Sequence, residues 1–202
     1  MRQHLIKQTL LAAAFIMLAS LPALAQNYPS AEVSGGFSYM HVQGGGNLYG
    51  WDASVAGNLN TWFGVTGEFS GHYGSSVAFG TSVLVPGPPS PTTFSVSSGS
   101  SVYTFLFGPR LSYRRDRRIT PFGHVLPGFA RSGFSVTVSA PPFSSHTSGS
   151  STAFAMALGG GLDVRLSRSF AFRMIQADYL LTRFGGANQN NARITTGLVY
   201  RF

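Results

Sequence analysis

Eight segments of the chain alternate apolar and polar side chains with a period of two, separated by clusters of Gly, Ser, Asn and Pro. They cover roughly residues 31–42, 48–58, 61–73, 101–113, 119–138, 152–166, 170–183 and 191–202. Successive side chains of a β-strand point to opposite faces, so this spacing predicts strands with one greasy and one polar side. In 154–166, Phe154, Met156, Leu158, Leu162, Val164 and Leu166 oppose Ala155, Ala157, Gly159, Gly161, Asp163 and Arg165. In 103–113, Tyr103, Phe105, Phe107, Pro109, Leu111 and Tyr113 oppose Thr104, Leu106, Gly108, Arg110 and Ser112. The last segment sets Ile194, Leu198, Tyr200 and Phe202 against Arg193, Thr195, Gly197 and Arg201.

Alternation alone does not say which face is inside, because soluble barrels alternate too. Composition decides it. Charged residues make up 10% of the chain and Lys7 is its only lysine, whereas a soluble domain averages about 25% charged residues. The polar face, built of Gly, Ser, Thr, Asp and Arg, is a poor solvent-facing surface. The apolar face carries aromatics at both strand ends: Phe63, Tyr113, Phe170, Tyr200 and Phe202 at one, Tyr39, Tyr49, Tyr73 and Tyr103 at the other. Two aromatic girdles around an apolar band are expected where lipid meets water. No backbone N–H or C=O tolerates being unpaired in lipid, so the strands must close on each other. The expected fold is all-β: an eight-stranded, antiparallel, up-and-down transmembrane β-barrel. Its connections alternate in length. NLNT (58–61), RRDRR (114–118) and LSRS (166–169) are tight turns. VQGGGN (42–47), 74–100, 139–151 and GGANQNN (185–191) are expected to be longer external loops, with 85–101 mobile.

The first residues read as a separate unit. Arg2, His4 and Lys7 form a basic start, LLAAAFIMLASL (10–21) an apolar core, and Ala23 and Ala25 a small-x-small cleavage signal. This predicts a signal peptide over 1–25 and a barrel domain over 26–202. The apolar run is shorter than the ~20 residues of a membrane anchor. With no cysteine, lipoprotein attachment and disulfides are both excluded. Beyond the leader twelve basic residues, all arginine, face six acidic ones. A basic balance can mean nucleic acid, but an exported chain with one short basic turn is not expected to bind it.

Strand parity points Glu32, Asp52, Glu68, Arg110, Asp163, Arg165, Arg193 and Arg201 into the lumen. Eight strands enclose a space that side chains just fill, and an unpaired charge there would cost several kcal/mol. Arg–carboxylate pairs forming a polar plug are therefore expected, with a narrow ion path as the sharper alternative. Arg173 and Asp178 lie five apart on one strand. Both can face inward only across a β-bulge; otherwise Arg173 snorkels to water. His72, His124 and His146 have no spacing that marks a catalytic or metal-binding set. No catalytic residue, metal or cofactor is expected. The arginines of RRDRR are expected to be solvated and near headgroups.

With those features in place, the chain resembles the small outer-membrane β-barrel family related to the OmpA transmembrane domain. The resemblance rests on GWDASVAGN (50–58), FLFGPRLSYR (105–114), ITPFGHVLPGFAR (119–131), QADYLLTRF (176–184) and GLVYRF (197–202), after a leader ending in ALAQ. It implies a Gram-negative-type outer-membrane location, export by the leader, and a monomer surrounded by outer-membrane lipid. It also implies handling by periplasmic chaperones and the barrel-insertion machinery, with Tyr200 and Phe202 as the C-terminal insertion signal. No peptidoglycan-binding domain follows, so cell-wall anchoring is not expected. A structural or surface-interaction role is the implied function. A narrow channel, a lipid A-modifying enzyme and a soluble periplasmic barrel are the competing readings.

Overall fold

Each apolar–polar segment becomes a strand, and the last strand pairs with the first. The computed structural model describes residues 28–44, 46–80, 94–115, 118–140 and 143–202; the expected signal peptide lies outside these. The strands are β1 Ala31–Val42, β2 Gly46–Asn58, β3 Phe63–Gly80, β4 Phe94–Ser112, β5 Ile119–Ala140, β6 Phe143–Arg165, β7 Phe170–Phe184 and β8 Ala187–Arg201. They form one closed barrel in sequence order, every neighbouring pair antiparallel. The β1–β8 seam runs from Glu32↔Arg201 to His41↔Ala192. It is continued by Phe202 N–H donating to Ala31 O (2.9 Å) and Ser30 N–H to Phe202 O (3.1 Å).

The greasy face looks outward. Phe105, Leu158 and Leu198 are 43%, 53% and 55% exposed, while Asp163 and Arg110 are 0% and 2% exposed. A soluble barrel would show the reverse. The outward aromatics interlock across strands: Phe69 stacks on Phe105 (centroids 4.3 Å apart) and Phe105 on Phe129 (5.2 Å). Near the loop side Tyr103 donates to Tyr73 Oη at 3.0 Å. At the turn side Tyr200 packs edge-on against both Phe170 and Phe202.

Two irregularities shape the wall. β7 shifts register between Arg173 and Gln176, leaving Met174 and Ile175 both outward and opposite Thr196 of β8. This is the β-bulge that lets Arg173 and Asp178 both face inward; Thr196 Oγ1 donates to Arg173 O (2.9 Å) across it. On the facing side Pro109 and Pro127 lack an N–H, and the β4–β5 ladder is interrupted between Leu106↔Gly128 and Arg110↔His124.

The external connections differ from expectation. β3 and β4 stay paired out to Gly80↔Phe94, so the outer part of 74–100 is largely strand and only 81–93 lies outside the described residues. The stretch 139–151, expected as a loop, belongs to a β5–β6 hairpin paired out to Ala140↔Phe143. The expected loop 185–191 shrinks to Gly185–Gly186, with φ of 58° and 84°. That left-handed pair is the geometry of a tight hairpin turn, which glycine adopts freely. Beyond the membrane both faces of a strand are wet. The apolar alternation that marks a strand therefore lapses there although backbone pairing continues.

The seam admits almost no volume. A Cβ on Gly36 would lie 2.0 Å from Thr196 O, whereas one on Gly57 would meet nothing within 4 Å. Gly36→Ala is expected to lower unfolding free energy by about 1–3 kcal/mol in urea titrations of the micelle-folded barrel. Gly57→Ala should stay within about 0.5 kcal/mol of the parent.

Candidate functional site

The lumen holds the polar chemistry. Each strand delivers its inward residues at every second position, and eight such rows meet on the barrel axis. On the turn side Glu32 collects three arginines: Arg110 Nη1 at 3.0 Å, Arg201 Nε at 3.2 Å and Arg114 Nη2 at 3.5 Å. Asp163 takes a two-pronged contact from Arg173, Nε to Oδ1 at 2.9 Å and Nη2 to Oδ2 at 3.3 Å, and Arg110 Nη2 at 3.2 Å. The buried ring of Phe122 stacks beneath both cations, 4.0 Å from Arg110 Cζ and 4.6 Å from Arg173 Cζ.

Gln176 links this group to the next. Its Oε1 accepts from Arg173 Nη1 (2.7 Å), and its Nε2 donates to Glu68 (3.0 Å) and Asp178 (2.8 Å). Arg193, fully buried, donates to Glu68, to Asp178 at 2.6 Å and 3.1 Å, and to Ser70 Oγ at 3.3 Å. Its Nη1 is 3.6 Å from Asp52. His124 Nε2 lies 2.8 Å from Asp178 Oδ1. Five carboxylates thus face Arg110, Arg114, Arg173, Arg193 and Arg201, so the enclosed charge nearly balances. Most of these charges are multiply hydrogen-bonded, which is what burial of an ion requires.

Of the eight residues placed in the lumen by parity, Glu32, Asp52, Glu68, Arg110, Asp163, Arg193 and Arg201 come together there. Arg165 does not. It is exposed where β6 ends, its Nε donating to Ser167 O at 3.0 Å; beyond the barrel rim, strand parity has no interior to point into. Arg114 is not solvated as RRDRR suggested. It clamps the neighbouring turn, donating to Thr61 O (3.0 Å) and Asn58 Oδ1 (2.9 Å). Sequence reading also missed Gln176, displaced in phase by the bulge, and Phe122. The latter left a signal, an aromatic on the polar face between Thr120 and His124.

An apolar layer lies above the charges. Met40, Leu48, Leu106, Leu126, Ala130, Ala155, Ala157 and Leu180 form one buried cluster. Along β1, β2, β4, β5, β6 and β7, the charged or His position comes nearer the turns and the apolar one nearer the loops, as in Asp178 then Leu180 or His124 then Leu126. On β3 and β8 polar side chains continue to the loop side, with His72 buried, Arg193 opposite Met40 and Asn191 opposite Leu180.

Two constellations look reactive in isolation. Glu68, His124 and Asp178 bring potential ligand atoms within 4.8 Å of one another. Arg193 and Gln176 already donate to both carboxylates, so a cation would have to displace a guanidinium from the position it would take. His72 Nε2 lies 2.8 Å from Ser38 Oγ, with Thr195 Oγ1 3.0 Å further on. Both partners of that His–Ser pair are wholly buried. His146 sits outside, against Thr137 Oγ1 at 2.9 Å.

Arg193→Met removes the cation shared by Glu68, Asp178 and Asp52. It is expected to cost about 3–5 kcal/mol, the usual loss when one partner of a buried pair is deleted. Arg165→Ala should change stability by less than about 0.5 kcal/mol. Urea unfolding of both variants in the same micelles compares them directly.

The comparisons with known proteins agree with this geometry. Among solved structures the chain is similar to Ail, the attachment invasion locus protein of Yersinia pestis, at TM-score 0.56 and 19% identity, covering 87% of this chain and 99% of that one. Ail in complex with the heparin analogue sucrose octasulfate gives TM-score 0.54 at 17% identity, with 85% and 97% covered. The outer membrane protein OprG from Pseudomonas aeruginosa gives TM-score 0.47 at 13% identity, with 88% and 97% covered. At these identities the likeness concerns the fold alone. No curated protein sequence matches the chain significantly. A model of the outer membrane protein beta-barrel domain matches residues 11–202, and the chain belongs to that family.

Proposed function

We propose that this outer-membrane β-barrel serves surface interaction rather than transport or catalysis. The observation that carries the reading is a lumen packed with paired charges and apolar side chains, beneath a projecting sheet. Along the axis the charged lattice and the apolar cluster are packed together. Outside, β3, β4, β5 and β6 run to 18, 19, 22 and 23 residues, against 12 to 15 for the other four. These four strands rise as a sheet above the shorter half of the barrel. Its β6 edge has no strand partner among the described residues between Phe143 and Phe154, since pairing with β7 begins at Ala155↔Thr182. That edge reads FSSHTSGSSTAF, with no charge and no proline. Unpaired strand edges are templates for another chain's backbone, and charge or proline is what ordinarily blunts them. The binding surface is therefore a sheet edge rather than a set of mobile loops.

In this reading the protein is exported by cleavage after Ala25 and works as a monomer in outer-membrane lipid, with Tyr200 and Phe202 presented to the insertion machinery. It needs no cofactor and performs no catalysis, a view supported by the burial of the Ser38–His72 and Asp178–His124 pairs. Planar-bilayer recording of the purified protein is expected to show no discrete conductance steps; reproducible steps would establish the channel instead. Replacing Thr147 and Gly149 of the β6 edge by proline should abolish binding to host-cell or bacterial surface preparations while the barrel still folds. Undiminished binding would remove the sheet edge as the contact surface.

A further inference from the structure

The charge left outside the lumen is one-sided. Among the described residues every carboxylate side chain is buried in the lumen: Glu32, Asp52, Glu68, Asp163 and Asp178. Exposed arginines gather on the turn side at Arg115, Arg165 and Arg168. They come from adjacent connections, β4–β5 and β6–β7, which are tied together by Arg165 N–H donating to Arg118 O at 2.8 Å. The β2–β3 turn LNTW (59–62) carries no charge. Among the described residues this half of the rim is thus the basic one.

Directly beneath the β4–β5 turn the outer wall is indented. A groove of about 340 Å³ is lined by Trp62, Leu111, Tyr113, Pro121 and Gly123. Tyr113 N–H donates to Pro121 O at 2.9 Å at its upper end, where the chain passes into Arg114 and Arg115. Trp62 and Tyr113 are 59% and 58% exposed at the level where tails give way to headgroups. An apolar groove beside turns that carry arginines offers the two halves of a lipid site, one for a chain and one for a phosphate.

We infer that this rim holds an anionic phospholipid of the periplasm-facing leaflet, its acyl chain along Trp62, Leu111 and Tyr113 and its phosphate among Arg115, Arg165 and Arg168. Short turns face the periplasm in barrels of this class, which places the site in the leaflet built of phospholipid. The lipid also gives the barrel a fixed depth and rotation, because only one half of its rim is basic.

Native mass spectrometry of the purified protein, released from detergent in equal amounts of dioleoylphosphatidylglycerol and dioleoylphosphatidylcholine, tests this. One tightly retained phosphatidylglycerol is expected, with retention falling roughly fivefold for each arginine neutralised in R115Q/R168Q. Trp62→Ala should weaken retention of phosphatidylglycerol while leaving its preference over phosphatidylcholine intact. The loop-side control R131Q/R183Q should leave both unchanged. Equal retention of the two lipids would overturn the site. So would full retention in R115Q/R168Q, or an equal loss in R131Q/R183Q, which would mean that net charge alone attracts the lipid. Heat-modifiable migration on gels confirms that each variant is folded.

Discussion

The structure depends on a backbone requirement more than on any side chain. In hydrocarbon an unsatisfied N–H or C=O costs several kcal/mol, and a sheet with open edges would expose a row of them. Pairing of β1 with β8 removes both edges at once, and other features of the wall derive from it. Strands lie close enough all round the wall that Gly36 and Gly197 at the seam, like Gly50 and Gly128 elsewhere, have no room for a Cβ. The aromatic end of β8 lies against the first strand rather than fraying. Above the membrane the requirement lapses because water satisfies the backbone, and there the β6 edge has no second strand partner among the described residues.

Closure at eight strands creates a second problem, since the enclosed space is too narrow for bulk water and too wide to leave empty. The protein fills it in two tiers. Charges occupy the half nearer the turns, where Glu32 and Asp163 gather arginines from β4, β7, β8 and the β4–β5 turn. Leu and Met cluster in the half nearer the loops, beside buried polar groups such as His72, Thr182 and Asn191. Replacing buried ion pairs by apolar groups is often neutral or stabilising, so the lattice is weak evidence for stability. Its plainer consequence is registry. Arg193 on β8 is held by Glu68 on β3 and Asp178 on β7, tying strands far apart around the wall to one relative height.

The wall was legible in the sequence because lipid imposes a strict rule on it. Parity put Phe105, Leu158 and Leu198 on one face and Asp163 and Arg110 on the other, and composition then turned the first face outward. Legibility failed wherever that rule stopped applying. Arg165 had the right parity but lay past the rim. Arg173 and Asp178 were ambiguous because one bulge residue changes the phase of a strand, and nothing in RMIQAD announces it. Ser- and Gly-rich stretches such as 139–151 resembled loops because strands wet on both faces need no alternation. Leu106, Leu126 and Leu180 lay on the polar face in plain view. Their convergence into one layer required knowing how eight registers align.

The apolar face of each strand contacts hydrocarbon while the charges face one another inside, and every other feature of the molecule rests on that orientation. The chain has no cysteine, so single Cys replacements of Phe105, Leu158 and Leu198 can carry nitroxide labels without interference. In phospholipid bilayers power-saturation measurements should find all three labels readily relaxed by molecular oxygen and shielded from a water-soluble nickel chelate. Labels accessible to the chelate, or protected from both reagents as in a packed protein core, would contradict the account.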